Sequence, residues 1–483
     1  MLNSEQNQAT EPRVAASVDS GGAVPAGPGD LYEKRKKIYA REVKGIFATW
    51  RWIFFWFTQL IFYGLCWIDW NDRQAVLFHL VERKFYLFGL VLWPQDVFYL
   101  AVLLIISAYG LFLFTAVAGR LFCGYACPQT VYTLLFMWIE NRIEGDRPAR
   151  MKLDRQPYSP RKYAIKGVKH LLWALLSLWT GITLVGYFTP IKELLTAVPD
   201  LSFGPWEWFW ILFYGFFTYF MAGFMREQMC KYVCPYARFQ GVMFDPDTLI
   251  ISYDQGRGEP RGPRKKGISV ADGGMGDCID CGICVQVCPT GIDIRDGLQI
   301  ECIGCSACID GCDQVMDKVG LPLGLIRYST ENALARRYSS AEIVAHIVRP
   351  RVLLYSAVLL AIVVAMFWGL ATRIPLMVDV IRDRSTMARE VEDGLIENSF
   401  QLQIMNTSET ARKFVLSASG LPSLRLMGQE VVEIPAATTR SVSVALRAPP
   451  DSGKKGANPV FFEVQSVDDV SVKVIEKASF IQP

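Results

Sequence analysis

Histidine is scarce in this chain, with 3 in 483 residues, and their places matter as much as their number. His79 lies in a broken apolar segment, His170 starts an apolar run beside basic residues, and His346 precedes the last apolar run. A b-type haem in a membrane bundle needs paired histidines within spans, so haem is not expected. Net charge is only +3, which gives no footing for nucleic acid. The first 30 or so residues have few large apolar side chains and lack the apolar core of a signal peptide. They read as a disordered tail, with the N-terminus expected in the cytoplasm. No cysteine follows Cys312, so the C-terminal part cannot hold the inter-sheet disulfide of antibody domains.

Apolar and aromatic residues are abundant instead, at 51% and 13% of the chain. That is rich for a soluble protein and indicates membrane spans. Trp52 to Ile68 is just long enough to cross, and Val97 to Gly119, His170 to Pro190, Trp208 to Met225 and Val352 to Thr372 are about bilayer length. Ala75 to Trp93 is apolar but broken by Glu82, Arg83 and Lys84, so a surface hairpin or interfacial segment is expected there. Charge then orients the five spans. The loop from Arg120 to Lys169 carries 10 Lys and Arg. A basic patch (Lys34, Arg35, Lys36, Lys37, Arg41, Lys44) precedes the first span, and a Gly/Pro-rich linker carries Arg257, Arg261, Arg264, Lys265 and Lys266. The opposing loops have only Arg73, Arg83, Lys84 and Lys192. By the positive-inside rule the basic segments face the cytoplasm and the C-terminal portion lies outside.

The cysteines are bunched. Cys278, Cys281, Cys284 and Cys288 form one run, ending in Pro289, and Cys302, Cys305, Cys308 and Cys312 form a second, followed by Asp313. Three cysteines at every third residue and a fourth four positions on is the bacterial ferredoxin pattern, here twice. A cubane needs four converging thiolates, and in two-cluster ferredoxins the fourth comes from the other run. The expected sets are Cys278, Cys281, Cys284 with Cys312, and Cys302, Cys305, Cys308 with Cys288. Structural zinc, the competing use of paired cysteines, takes pairs far apart in sequence.

A second cysteine system repeats on a smaller scale. Arg120-Leu-Phe-Cys123-Gly-Tyr-Ala-Cys127-Pro128 and Arg226-Glu-Gln-Met-Cys230-Lys-Tyr-Val-Cys234-Pro235 each follow an apolar run that ends at the cytoplasmic surface. Cysteines four apart share a helix face, and proline breaks or bends what precedes it. Four thiols on one side of the membrane suit Cu(I), two dithiol couples or a further cluster. Cys66, alone in the first span, reads as a small hydrophobe.

From about Ile374 the pattern changes to short alternating runs: Phe400 to Ile404, Lys413 to Ser417, Ser441 to Leu446, Phe461 to Gln465 and Val472 to Glu476. Period-two alternation at this spacing predicts an antiparallel sandwich of about seven strands. Its role is docking or a stability cap.

This order of parts resembles the CcoG/FixG/Rdx family, membrane polyferredoxin accessory proteins for assembly of cbb-type cytochrome c oxidase. The resemblance implies a multidomain membrane protein. A basic cytoplasmic segment (1–45) leads into four helices with two C-x-x-x-C-P motifs (46–245). A cytoplasmic two-cluster ferredoxin domain (246–340), a fifth helix (341–373) and a periplasmic immunoglobulin-like β-sandwich (374–483) follow. It further implies reduction of Cu(II) to Cu(I) for the oxidase, with two [4Fe-4S] clusters on the eight ferredoxin cysteines. Cys123, Cys127, Cys230 and Cys234 then take the copper-handling, catalytic part. The implied partners are copper-handling proteins, oxidase assembly factors and an unnamed electron donor, with a homodimer as one arrangement. Two other readings stay open: a quinol-linked electron-transfer subunit, and a non-enzymatic assembly scaffold with structural clusters.

Overall fold

The computed structural model describes residues 37–263, 274–336, 338, 340–383, 388–391 and 394–483. The expected N-terminal tail, with Lys34, Arg35 and Lys36, and the linker residues Arg264, Lys265 and Lys266 lie outside the described residues.

Four helical segments among the described residues are long and apolar enough to cross a membrane: Pro94–Ala118, Pro160–Val185, Pro205–Met225 and Pro350–Ala371. They contain helices α2 (Val97–Ala118), α6 (Pro160–Val185), α7 (Pro205–Phe220) and α10 (Pro350–Ala371). The first expected span also forms a helix, α1 (Ile46–Gly64). It falls outside that group of four because Arg51, Gln59 and its tryptophans dilute its hydropathy. Helix starts follow local chemistry. Proline opens α6, α7 and α10, where its missing N–H is no loss and its fixed φ suits the first turn. At α6 the Ser159 side chain also accepts the Lys162 N–H, at 3.2 Å. This cap carries the helix back to Pro160, well before the apolar run that begins at His170.

The broken segment is a hairpin-type element, as its charges suggest. Strands β1 (Val76–His79), β2 (Lys84–Leu87) and β3 (Leu90–Leu92) form an antiparallel meander, and Glu82 and Arg83 occupy its first turn. Cys66 is buried nearby among Val76, Tyr187, Leu194 and Ile211, its thiol 3.5 Å from the Tyr63 carbonyl of α1, and acts as a small, mainly apolar side chain.

The C-terminal region is a two-sheet sandwich. Its strands are β6 (Leu376–Arg382), β7 (Arg389–Glu390), β8 (Ile396–Asn406), β9 (Arg412–Ser419), β10 (Arg425–Met427), β11 (Val431–Ile434), β12 (Thr438–Ala448), β13 (Gly456–Ser466) and β14 (Lys473–Gln482). One sheet runs β10-β12-β8-β6 with β7 also on β8, and the other runs β11-β9-β13-β14. The count exceeds the expected seven because β7 and β10 are too short to show alternation. Inward residues such as Phe400, Leu402, Phe414, Leu446 and Phe462 fill the space between the sheets. The sandwich docks on the meander through Met377 and Met405 against Leu77, Val91 and Trp93. An Arg73–Glu409 ion pair of 2.7 Å adds to that contact.

The ferredoxin stretch lies at the other end of α2. Strand β4 (Ile250–Tyr253) pairs with β5 (Ile326–Ser329), and the backbone leads in from α2 through a Leu249 N–H to Val117 carbonyl bond of 3.1 Å. The start of α1 is fixed to the same unit. Asp310, on helix α9 (Ala307–Val319), accepts the N–H groups of Phe47 at 3.2 Å and Ala48 at 2.7 Å. It thereby supplies the N-terminal cap that Gly45 cannot. Replacing Asp310 by alanine should lower stability by about 1–2 kcal/mol, the usual cost of a lost cap. The readout is the thermal midpoint of the iron–sulfur absorbance band; an unchanged midpoint would mean that the cap is not a structural link.

Candidate iron–sulfur and thiol sites

Each ferredoxin run is bent by the same device. The second residue after the first cysteine and the residue after the second cysteine both have left-handed backbone: Asp280 and Gly282 in one run, Gly304 and Ser306 in the other. Alternating left-handed residues turn successive side chains to one side of the loop. The two non-glycine residues are held in place. Asp280 pairs with Arg295, and the Ser306 hydroxyl bonds the hydroxyls of Tyr125 and Tyr328.

Cys278, Cys281, Cys284 and Cys312 line one enclosed cavity, with Tyr253 and Met316 among its walls. This is the first expected set, completed by the cysteine of the other run. Burial pushes the Cys312 thiol up to about 12, and the nearby Cys284, Cys281 and Cys278 add to the shift. The second set shows the same cross-connection. Burial raises Cys302 to about 12, and Cys308 well above its ordinary value, with Cys288 contributing to both. Cys312 lies inside α9, where a following proline would break the helix. Asp313 stands there instead, and its carboxylate accepts the Gly324 N–H at 2.9 Å.

Among the described residues no three Cys, His, Asp or Glu side chains already stand in a metal-binding arrangement. The fit to a cubane therefore rests on the donor chemistry: four soft thiols facing one enclosed, apolar-walled space.

The C-x-x-x-C-P cysteines do not share a helix face, contrary to the expectation from their spacing. Cys123 is on the short helix α3 (Leu121–Tyr125), while Cys127 is the extended N-cap of α4 (Pro128–Glu144). Cys230 is in a π-helical turn, Met229–Val233, and Cys234 is the extended N-cap of α8 (Pro235–Met243). The proline opens the following helix instead of bending the preceding one. The break nonetheless brings the thiols together. Burial raises Cys230 to about 12, with Cys127, Cys123 and Cys234 all adding, and raises Cys123 to about 11, against a hydrogen bond from Gln240. Gln240 Nε2 stands 3.3 Å from Cys123 Sγ.

This thiol group is packed against the second ferredoxin run. Cys123 and Cys230 lie on the buried cluster formed by Val287, Ile303, Cys305 and Ala307. Two glycines make the approach possible. A Cβ on Gly124 would fall 2.7 Å from the Gly304 carbonyl oxygen and 2.8 Å from the Cys305 backbone. A Cβ on Gly304 would fall 2.9 Å from the Arg120 carbonyl oxygen. Any side chain at either position would force the two loops apart.

Sequence comparisons place both C-x-x-x-C-P motifs, as well as the two ferredoxin runs, inside matches to iron–sulfur families. Residues 225–331 match the family described as a 4Fe-4S dicluster domain, residues 100–144 a 4Fe-4S binding domain, and residues 366–483 an IG-like fold at the C-terminal of FixG. "Nitrogen fixation protein FixG" of Rhizobium meliloti is 38% identical over 462 residues, covering 89% of this chain and 88% of that one. The chain belongs to the FixG/Rdx family. "Protein RdxA" and "Protein RdxB" of Cereibacter sphaeroides are each 39% identical, with 87% and 86% of this chain and 91% and 90% of theirs covered. As a FixG/Rdx protein, the chain combines iron–sulfur domains and membrane helices with the IG-like C-terminal fold.

Several residues important to the geometry of this FixG/Rdx chain are not singled out by spacing rules. Gly124, Gly304 and Gln240 come from three separate segments, so no local pattern links them. Arg120 and Arg226 had a signal, since each heads a C-x-x-x-C-P motif. Arg226 pairs with Glu140 at 2.7 Å, in a buried ion network that also holds Arg150 of helix α5 (Arg147–Arg155), Lys169 and Glu144. Burial pushes the Glu140 carboxyl up, but Arg226 and its fellow cations outweigh it and hold the group below its ordinary range. The network fixes the π turn that carries Cys230. The histidines have local roles: His79 Nδ1 accepts the Glu82 N–H at 3.1 Å, His170 is 2.9 Å from the Tyr219 hydroxyl, and His346 stacks on Tyr338.

Proposed function

We propose that this protein is a membrane-bound cupric reductase that supports copper delivery to a cbb-type cytochrome c oxidase. One observation carries the reading: two of the C-x-x-x-C-P thiols, Cys123 and Cys230, one from each motif, are packed against the second ferredoxin run, where Gly124 meets Gly304. Bound iron–sulfur clusters supply single electrons, and reducing Cu(II) to Cu(I) consumes one. Soft thiols prefer the Cu(I) product. Burial raises the Cys123, Cys127 and Cys230 thiols above their ordinary range, so copper binding there would release protons to the surroundings. The partners in this reading are copper-handling proteins and oxidase assembly factors.

The same proposal fixes a topology. Helix α1 is a fifth crossing, the ferredoxin unit faces the cytoplasm and the sandwich faces the periplasm. The charge of the loop from Arg120 to Lys169 supports this, as does the docking of the two units at opposite ends of α2. A periplasm-dependent phosphatase fused after Pro483 should be active, and fused after Gly262 inactive; the reverse pattern rules this topology out.

Copper reduction is tested with anaerobically purified, reduced protein and a Cu(I)-specific chelator. The Cys123/Cys127/Cys230/Cys234 alanine variant should form Cu(I) at least roughly tenfold to a hundredfold more slowly, since even outer-shell partners of a metal cost that much. Equal rates would remove the thiols from the reaction. An iron count on the same samples separates copper handling from a third cluster, which is favoured by the 4Fe-4S match over residues 100–144. Two cubanes give about eight irons per chain and three give about twelve.

A second reading, electron input from a membrane quinol, is favoured by one feature. An apolar groove of about 660 Å³ opens between α1 and α2, lined by Phe47, Trp50, Phe54, Leu111, Phe114 and Tyr125 among others. At its inner end the Tyr125 hydroxyl donates to Ser306, next to Cys305 in sequence, at 3.1 Å. A quinol bound there would leave as quinone, giving up two electrons and two protons. Adding a quinol analogue to membranes should bleach the iron–sulfur absorbance, and a Phe54→Arg variant should not respond. No bleaching in the unmodified protein would exclude the quinol as donor.

A further inference from the structure

The two ferredoxin sites differ in how their surroundings are charged. At the first, Arg295 lines the cavity with Cys278, Cys281, Cys284 and Cys312. Its guanidinium is already matched by Asp293 at 2.6 Å and Asp280 at 2.5 Å. Asp313 adds a further carboxylate beside Cys312. One ligand of this site, Cys281, is exposed to solvent.

At the second site two arginines stand without a carboxylate partner among the described residues. Arg120 is 6% exposed. Its terminal nitrogens donate to the carbonyls of Ile300 and Ala237, and its backbone lies against Gly304, between Cys302 and Cys305. Its Nε is buried with no hydrogen-bond partner. Arg51, on α1, shares an interior cavity of about 110 Å³ with Cys305, Cys230 and Thr290, and its Nε is likewise buried and unpartnered. The other charges on that cavity are Arg41 and Arg226 against Glu42 and Glu227, with Arg226 paired to Glu140. Asp310, the nearest carboxylate along α9, holds the α1 N–H groups instead.

A thiolate-ligated cluster is anionic and gains one more negative charge on reduction, so nearby positive charge and N–H groups favour the reduced form. The effect is strongest where burial excludes water. Hydration of Cys281 at the first site works in the same direction there, but among the described residues the one cation lining its cavity, Arg295, is already neutralised.

We infer that Arg51 and Arg120 are positioning residues of the second ferredoxin site, each presenting an unpaired guanidinium N–H to it, and that they make it the site reduced first. The inference rests on the reading of the eight cysteines as cluster ligands and does not involve copper.

The test is a copper-free, anaerobic redox titration of the full-length, cluster-loaded protein, followed by electron paramagnetic resonance. A Cys281→Ser variant identifies the first site, because its signal alone should change. The signal that appears at the higher potential should be the one unaffected by C281S. Arg120→Met and Arg51→Met should each move that signal to lower potential and leave the other in place, and Arg120→Lys, which keeps the charge, should recover most of the shift. The inference is overturned if the higher-potential signal is the one altered in C281S. It is also overturned if the methionine variants, with iron content intact, move neither signal or both alike. If a methionine variant loses iron, the C281S assignment in the otherwise unmodified protein still decides which site is reduced first.

Discussion

The backbone of Gly124 lies against that of Gly304 and Cys305, and the functional arrangement of this protein depends on that contact. It joins the first membrane-edge thiol motif to the loop of the second ferredoxin run, without a side chain between them. Backbone-to-backbone packing of this kind is available only to glycine on both sides. It turns a mobile electron-carrier motif into a fixed part of a membrane protein.

The surrounding structure preserves that contact from three directions. Asp310 caps α1 and fixes the first helix to the ferredoxin unit. The strand pair β4 and β5 closes the unit where the chain enters and leaves it. On the far side, Glu140 and Glu144 gather Arg150, Lys169 and Arg226 in a buried network that holds the second thiol motif. Breaking one member would leave a buried charge unmatched, so such a network acts as a rigid anchor.

Much of this was legible in the sequence, for a physical reason. Ligand spacing is local chemistry: four cysteines in a short loop can converge only in a few ways, so the gathering of Cys278, Cys281, Cys284 and Cys312 on one cavity follows the spacing. Apolar length is equally local, and Val97–Ala118 and Pro350–Ala371 stand out by it. Period-two alternation marked Ser441 to Leu446 and Phe461 to Gln465, which became β12 and β13. Helix α6 begins well before the apolar run at His170 because a Ser-Pro cap extends a helix into polar sequence. The C-x-x-x-C-P motifs were misread as single helical faces, because the proline fixes a new helix start and leaves the preceding cysteine extended.

By itself, therefore, the sequence determined the ligand types, the apolar helices and the strand pattern, since each rests on neighbours within a few residues. Tertiary structure alone decided what those parts do together. Arg51, Gly124, Gln240 and Gly304 come from distant segments, and their meeting depends on how α1, α3, α8 and the ferredoxin loop pack. Whether a buried arginine ends against a carboxylate, as Arg295 does, or with an unpaired nitrogen, as Arg120 does, is likewise a matter of packing. No spacing rule reports it, because the energy of a buried charge is set by what surrounds it in space.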